Sequence, residues 1–233
     1  MPTLDSLTLK YGAAAYERQV HFADIVGDAM PSYKVDLNKG ILTLNETAFA
    51  IQLLGTESEA TESWLWAWAM NDDGSVPEIV LNVALQIRAF GEENNVPEFT
   101  SDDTIPVDDR VSGQRFGLIA CVLCDGNAYF RMPYEGGAIF LLIKDSTFPT
   151  DERHLITRMT SSFPQFIQNM QIFDHLTAME HYAKHHNLKV TKTRESGLIV
   201  LNCAHEDGTT LRATFDARSR LTQLQSTLKE SDA

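Results

Sequence analysis

Two spacings in this chain could carry chemistry. Cys121-Val-Leu-Cys124 has the C-x-x-C spacing of redox and metal-binding thiols, and His181 and His185 stand four apart, so on a helix they share a face. A redox pair needs an exposed, electropositive helix N-terminus that lowers the thiol pKa. These two cysteines fall late in an apolar run instead, so buried structural thiols are expected. With Cys203 the sole remaining cysteine, no zinc set of four thiols can be assembled. His154, His175, His181, His185 and His186 gather in one stretch, yet the His181 helix offers only Glu180, on a neighbouring face, as a third ligand. Imidazoles near a helix C-terminus are also favoured by the helix dipole without any metal. The chain has no G-x-S-x-G, Walker loop, dinucleotide glycine fingerprint or H-E-x-x-H. The expectation is therefore no metal, no cofactor and no catalytic residue, although scattered residues could still assemble a site.

A binding constellation is better supported. Ser63-Trp64-Leu65-Trp66-Ala67-Trp68-Ala69 holds all three tryptophans two apart, which on a strand places them on one face. If the hairpin over 128–143 joins the same sheet, Tyr129 and Arg131 share a face beside them. With Gln52, Glu57 and Tyr134 this makes a candidate ligand or partner groove of Gln52, Glu57, Trp64, Trp66, Trp68, Tyr129, Arg131 and Tyr134: aromatic walls, a guanidinium and a few hydrogen-bonding groups. The competing reading is a structural seam, with the indoles in the core and Arg131 paired to Glu57 or stacked on a ring.

The elements that must position these residues come in blocks. Residues 7–30 have loose helical spacing, from Asp5 or Ser6 to Pro31, with Ala29 on the apolar side. A hairpin over Tyr33–Asn45 turns at Asn38-Lys39-Gly40, Phe49–Leu54 is a third strand, Gly55-Thr56-Glu57-Ser58 a polar loop, and the tryptophan run a fourth strand. Ser75 caps a helix that runs to Phe90 and closes at Gly91. The acidic, proline-containing stretch 92–109 is expected to be a solvated loop without the ligand pattern of a calcium site. Val111–Leu123 is the most apolar helix, and 128–132 with 138–143 form a second hairpin. A short helix begins at Thr150, a longer one runs from Ser162 to about His186, and strands follow near 188–194, 197–204, 209–216 and 219–226. Blocked helices and hairpin-linked strands predict an α+β fold of antiparallel sheets packed on helices, in the order α-ββββ-αα-ββ-α and then a small strand module. The domains expected are 1–187 as the main α+β domain and 188–233 as a C-terminal antiparallel strand module, separate or continuous with it.

The chain is acidic, net −13, and all of that excess lies in residues 1–150, with 22 Asp+Glu against 9 Lys+Arg; residues 151–233 balance at 10 and 10. Such a surface repels nucleic acid and anionic membranes and suits a basic protein partner. No stretch is apolar enough to span a bilayer, Met1-Pro-Thr-Leu-Asp-Ser lacks the features of a signal peptide, and three cysteines do not make a disulfide framework, so a cytoplasmic location is expected.

Gly55-Thr56-Glu57-Ser58, Trp64-Leu65-Trp66-Ala67-Trp68 and Tyr129-x-Arg131-x-Pro133-Tyr134-x-Gly136-Gly137 resemble the motifs of a family of bacterial domains of unknown function, over roughly residues 7–180. The resemblance implies bacterial origin and no particular activity. The element order is also similar to that of secretion chaperones and some toxin-immunity proteins, which are small acidic α+β binding proteins. The expected function is a non-enzymatic protein-binding module with an acidic surface. The alternative is a small-ligand-binding protein or enzyme using the tryptophan groove. The oligomeric state is left open.

Overall fold

Thr3 opens the first helix, α1 (Leu4–Val26), through a capping box: its hydroxyl accepts the Ser6 N–H, and the Ser6 hydroxyl accepts the Thr3 N–H at 2.8 Å. The helix therefore begins upstream of the expected Asp5 or Ser6 cap and closes at Gly27. The computed structural model describes residues 1–27, 31–70 and 74–228, so the expected last turn, with Ala29, lies outside the described residues. The chain divides into two compact units. The first is Met1–Thr8 with Arg18–Thr150, and the second is Leu9–Glu17 with Asp151–Ala233.

The first unit is organised around one long strand. β1 (Tyr33–Asp36) and β2 (Ile41–Leu44) form the expected hairpin, and β2 pairs with the opening residues of β3 (Thr47–Ser58). The far half of β3 is paired on both edges, by β4 (Ser63–Trp66) on one and β7 (Gly137–Ile143) on the other. β7 in turn pairs with β6 (Ala128–Tyr134), and β4 pairs with the two-residue β5 (Ile105–Pro106). All these pairings are antiparallel. The expected polar loop Gly55-Thr56-Glu57-Ser58 is thus strand, in register with Trp66, Leu65, Trp64 and Ser63. The glycine is required there: a Cβ on Gly55 would stand 2.4 Å from the Leu65 carbonyl oxygen and 2.5 Å from the Trp64 ring. Only a glycine lets the indole lie that close to the neighbouring strand. Just before it, the β3–β7 register shifts between Leu53 and Gly55, a bulge that re-aims the strand.

Around this sheet, α2 (Asn82–Asn94) follows a 3-10 turn at Glu78–Val80, and α3 (Gly113–Leu123) is capped by Ser112. α2 runs past the expected stop at Gly91 and closes on Asn95, in the left-handed conformation at φ +55°. Gly91 serves packing instead, because a Cβ there would meet the Phe99 Cβ at 2.6 Å. The stretch 92–109 is more ordered than a solvated loop, holding the end of α2, a 3-10 turn at Pro97–Phe99 and β5, with Val96 and Phe99 buried. α3 buries Phe116, Leu118, Ile119, Ala120 and Cys121, as its apolar sequence predicts.

In the second unit α4 (Leu155–Asn169) and α5 (His175–His185) precede a four-stranded antiparallel sheet. Its strands are β8 (Lys189–Glu195), β9 (Leu198–Ala204), β10 (Thr210–Phe215) and β11 (Leu221–Thr227), in the spatial order β11-β10-β9-β8. The helix boundary differs from the expected one at Ser162: α4 continues through Pro164, and the break comes at 170–174. There Gln171 takes φ +50° and Asp174 caps α5 by accepting the Thr177 N–H. The β8–β9 turn, Ser196-Gly197, has both φ values positive, at +50° and +84°, the primed geometry that a two-residue hairpin needs. α4 packs on β10 and β11, and α5 on β8. Leu201 and Cys203 of β9 sit opposite Ala213 and Leu211 of β10 on the buried face. On the other face Arg212 bonds Asn202 and Glu195. The protein is α+β with antiparallel sheets packed against helices.

Candidate functional site

The eight predicted groove residues all lie in the first unit, and the structure spends most of their functional groups on the fold. Trp64 and Trp66 are fully buried, and Trp68, just beyond the strand, is 8% exposed. Trp66 stacks on Trp68 with centroids 4.7 Å apart, meets Trp64 edge-on at 5.2 Å, and packs on Phe116 at 4.9 Å and Phe99 at 5.7 Å. Its indole N–H donates to the Glu98 carbonyl at 2.8 Å, which ties the acidic stretch to the tryptophan strand. Trp64 also packs on Phe140 of β7, and Arg88 lies over the Trp68 ring.

The polar members divide in the same way. Gln52 donates to the Ile79 carbonyl and accepts the Val83 N–H, holding the start of α2 against β3. Glu57 Oε2 accepts the Gly113 N–H at 2.8 Å, so its charge sits at the N-terminus of α3, where the helix dipole favours an anion. Arg131 pairs with Glu59 at 3.3 Å rather than with the expected Glu57. Tyr134 donates to Thr56 Oγ1, whose hydroxyl donates on to the Ala138 carbonyl. The Tyr129 ring stacks on Phe140 and lies against Gly117 of α3. The strand carrying Tyr129 and Arg131 joins the same sheet as the tryptophan strand, but β7 and β3 lie between the two.

The thiols and most of the histidines are likewise structural. Cys121, Cys124 and Cys203 are free and buried, and burial pushes each thiol up to about 11, the opposite of an activated pair. His175 Nδ1 accepts the Leu221 N–H. His186 takes part in a buried network of the second unit, in which Glu17 accepts from Tyr182, lies 3.1 Å from His186 Nε2 and pairs with Arg158 at 3.3 Å. Ser162 completes it at 2.9 Å from the Tyr182 hydroxyl. Burial by itself would raise the Glu17 carboxyl; the bond and charge of His186, then Tyr182 and Arg158, outweigh it and hold the group below its ordinary value. A depressed carboxylate stabilises the folded state above its unfolded pKa, and that stabilisation is lost as pH falls through the folded value. Glu17→Gln is therefore expected to cost about 3 kcal/mol near neutral pH, by leaving Arg158 without its buried counter-charge. Denaturant melts of wild type and variant should converge only as pH falls through the depressed folded value of Glu17, below the ordinary carboxylate range, whereas a gap that does not depend on pH would mean that Glu17 contributes packing alone.

One convergence of donors was not visible from spacing. Among the described residues, His154, His205 and Asp207 bring three donor atoms within 4.8 Å of one another. His154 is the N-cap of α4, with Nδ1 accepting the Ile156 N–H at 3.2 Å and Nε2 at 2.7 Å from Asp207 Oδ2. His205 follows β9, and its Nδ1 lies 3.0 Å from the same Oδ2. The other carboxylate oxygen, Oδ1, accepts both the N–H and the hydroxyl of Thr209. These bonds from Thr209, with that of His154, hold the Asp207 carboxyl far below the usual carboxylate range.

The family comparison matches residues 5–146 to a family of unknown function, DUF6882. The chain belongs to that family. The DUF6882 span contains the whole tryptophan sheet and α2 and α3, and it ends before residue 180, where the resemblance was expected to end. All eight groove residues are inside it, whereas the His154, His205 and Asp207 cluster is outside. No curated protein and no solved structure matches the chain. No helix among the described residues is long and apolar enough to cross a membrane.

Proposed function

We propose that the DUF6882 domain is a non-enzymatic protein-binding module that recognises a basic partner through its acidic surface. The observation that supports this reading is the acidic stretch after α2. Glu92, Glu93, Asp102, Asp103, Asp108 and Asp109 are all exposed along it. The ribbon that carries them is held by buried Val96 and Phe99, by the Trp66–Glu98 bond and by the β4–β5 pairing. Carboxylates on an ordered backbone lose little entropy on binding, so a fixed pattern of them favours a specific cationic surface over general solubility. Arg88 offsets only part of the charge, pairing with Glu92 and Asp102. A bacterial, cytoplasmic setting goes with this reading and rests on the motif resemblance and the free cysteines; nucleic acid and anionic membranes are disfavoured partners by charge.

Salt provides the test. A lysate protein captured on the immobilised chain at about 50 mM salt should elute by about 500 mM, because the Debye length shrinks to a few ångströms. It should not be captured by a variant carrying Glu93→Gln, Asp103→Asn and Asp109→Asn. Capture that survives both high salt and these substitutions would favour the alternative of an apolar ligand or partner groove.

A further inference from the structure

We propose that His154, His205 and Asp207 bind a divalent first-row transition-metal ion of the zinc type. Two imidazole nitrogens and one carboxylate oxygen form a three-ligand set that leaves a fourth position for water or another ligand. Two imidazoles also disfavour calcium and magnesium, which take oxygen ligands. All three residues belong to the second unit, at the start of α4 and in the β9–β10 connection.

Three observations converge on this site. First, Asp207 is aimed: Thr209 holds Oδ1 through two bonds, at 2.8 and 2.7 Å, and Oδ2 faces both imidazoles. That is the kind of outer support that orients a metal-binding carboxylate. Second, His205 Nδ1 is a buried atom whose polar neighbour is Asp207 Oδ2, 3.0 Å away. A ring nitrogen that close to an anionic oxygen is suited to sharing a cation with it. Third, the side chains remain 35%, 34% and 41% exposed, so the cluster lies at the surface of its unit.

Coordination rearranges three donors that already lie within 4.8 Å of one another. Bonds of about 2.0 Å at a tetrahedral angle set donor atoms about 3.3 Å apart, so the carboxylate would withdraw by a few tenths of an ångström from each imidazole. His154 also changes tautomer. In the metal-free protein Nδ1 accepts the Ile156 N–H, so Nε2 carries the proton and donates to Asp207. Coordination through Nε2 moves that proton to Nδ1, with no net change in protons on the ring, and releases the helix cap. Metal binding is thereby coupled to the first turn of α4.

The test uses the full chain, stripped with a chelator and titrated with Zn²⁺ by calorimetry and with Co²⁺ by its ligand-field spectrum. The expected result is one ion per chain, a tetrahedral Co²⁺ spectrum and a rise in melting temperature on adding zinc. His205→Ala and Asp207→Asn should each weaken binding by at least about tenfold and abolish the thermal shift. Thr209→Val, which retains all three ligands, should weaken it less. The double variant His181→Ala/His185→Ala should bind like wild type. Circular dichroism of each metal-free variant checks folding, and should His205→Ala unfold, His205→Gln replaces it. No zinc uptake by the wild type, or uptake undiminished by both His205→Ala and Asp207→Asn, would overturn the proposal.

Discussion

Trp66→Ala should unfold the first unit or leave it barely stable. The ring is fully buried, packed on Trp64, Trp68, Phe99 and Phe116, and its N–H is the donor that satisfies the Glu98 carbonyl. Truncating a buried tryptophan costs ~3–5 kcal/mol, against a total of ~5–15 kcal/mol for a domain. The loss extends beyond the cavity, because the acidic ribbon is released where Glu98 loses its donor. All three tryptophans lie in this unit, so intrinsic fluorescence in a denaturant melt reports on it directly. Arg131→Ala is the matched control: its partner Glu59 is 64% exposed, and such a surface pair contributes about 0–1 kcal/mol. A Trp66→Ala protein within ~1 kcal/mol of wild type would contradict a core role for the tryptophan strand. Strong destabilisation by both substitutions would make Arg131 part of a structural seam.

Truncation after Asn187 should leave a product that aggregates. It removes β8 to β11, the sheet on which α4 and α5 pack. Those helices bury Ile156, Met159, Phe163, Phe166, Leu176 and Met179. Large apolar side chains returned to water cost about 1.5–3 kcal/mol each, so uncovering even a few of them exceeds what a domain of this size can lose. Size-exclusion chromatography and circular dichroism of residues 1–187 provide the measurement. A monomeric product with its helices intact would instead mean that the last strands are an appended module.

Features governed by near neighbours were legible in the sequence. Period-two alternation and the turn at Asn38-Lys39-Gly40 marked a hairpin, the apolar run over 116–123 marked a buried helix, and strand parity placed Trp64 and Trp66 on one face. Blocks of these elements were enough to specify an antiparallel α+β fold. Each such signal depends on backbone geometry that repeats within a few residues.

Only tertiary structure decided what the same residues do at a distance. Gly55-Thr56-Glu57-Ser58 has the composition of a loop and becomes strand because β4 and β7 pair with its two edges, with Gly55 leaving room for the Trp64 ring. Glu57 looks like a groove acid and is taken by the N-terminus of α3, and Arg131 finds Glu59 instead. Glu17 meets Tyr182, and His154 meets His205 and Asp207, across separations of more than fifty residues. No local periodicity encodes those meetings, because they are fixed by which apolar faces bury one another and where the connecting turns end. The sequence by itself therefore determined the inventory of helices and hairpins, while the pairing of the carboxylate, guanidinium and imidazole groups was settled by packing.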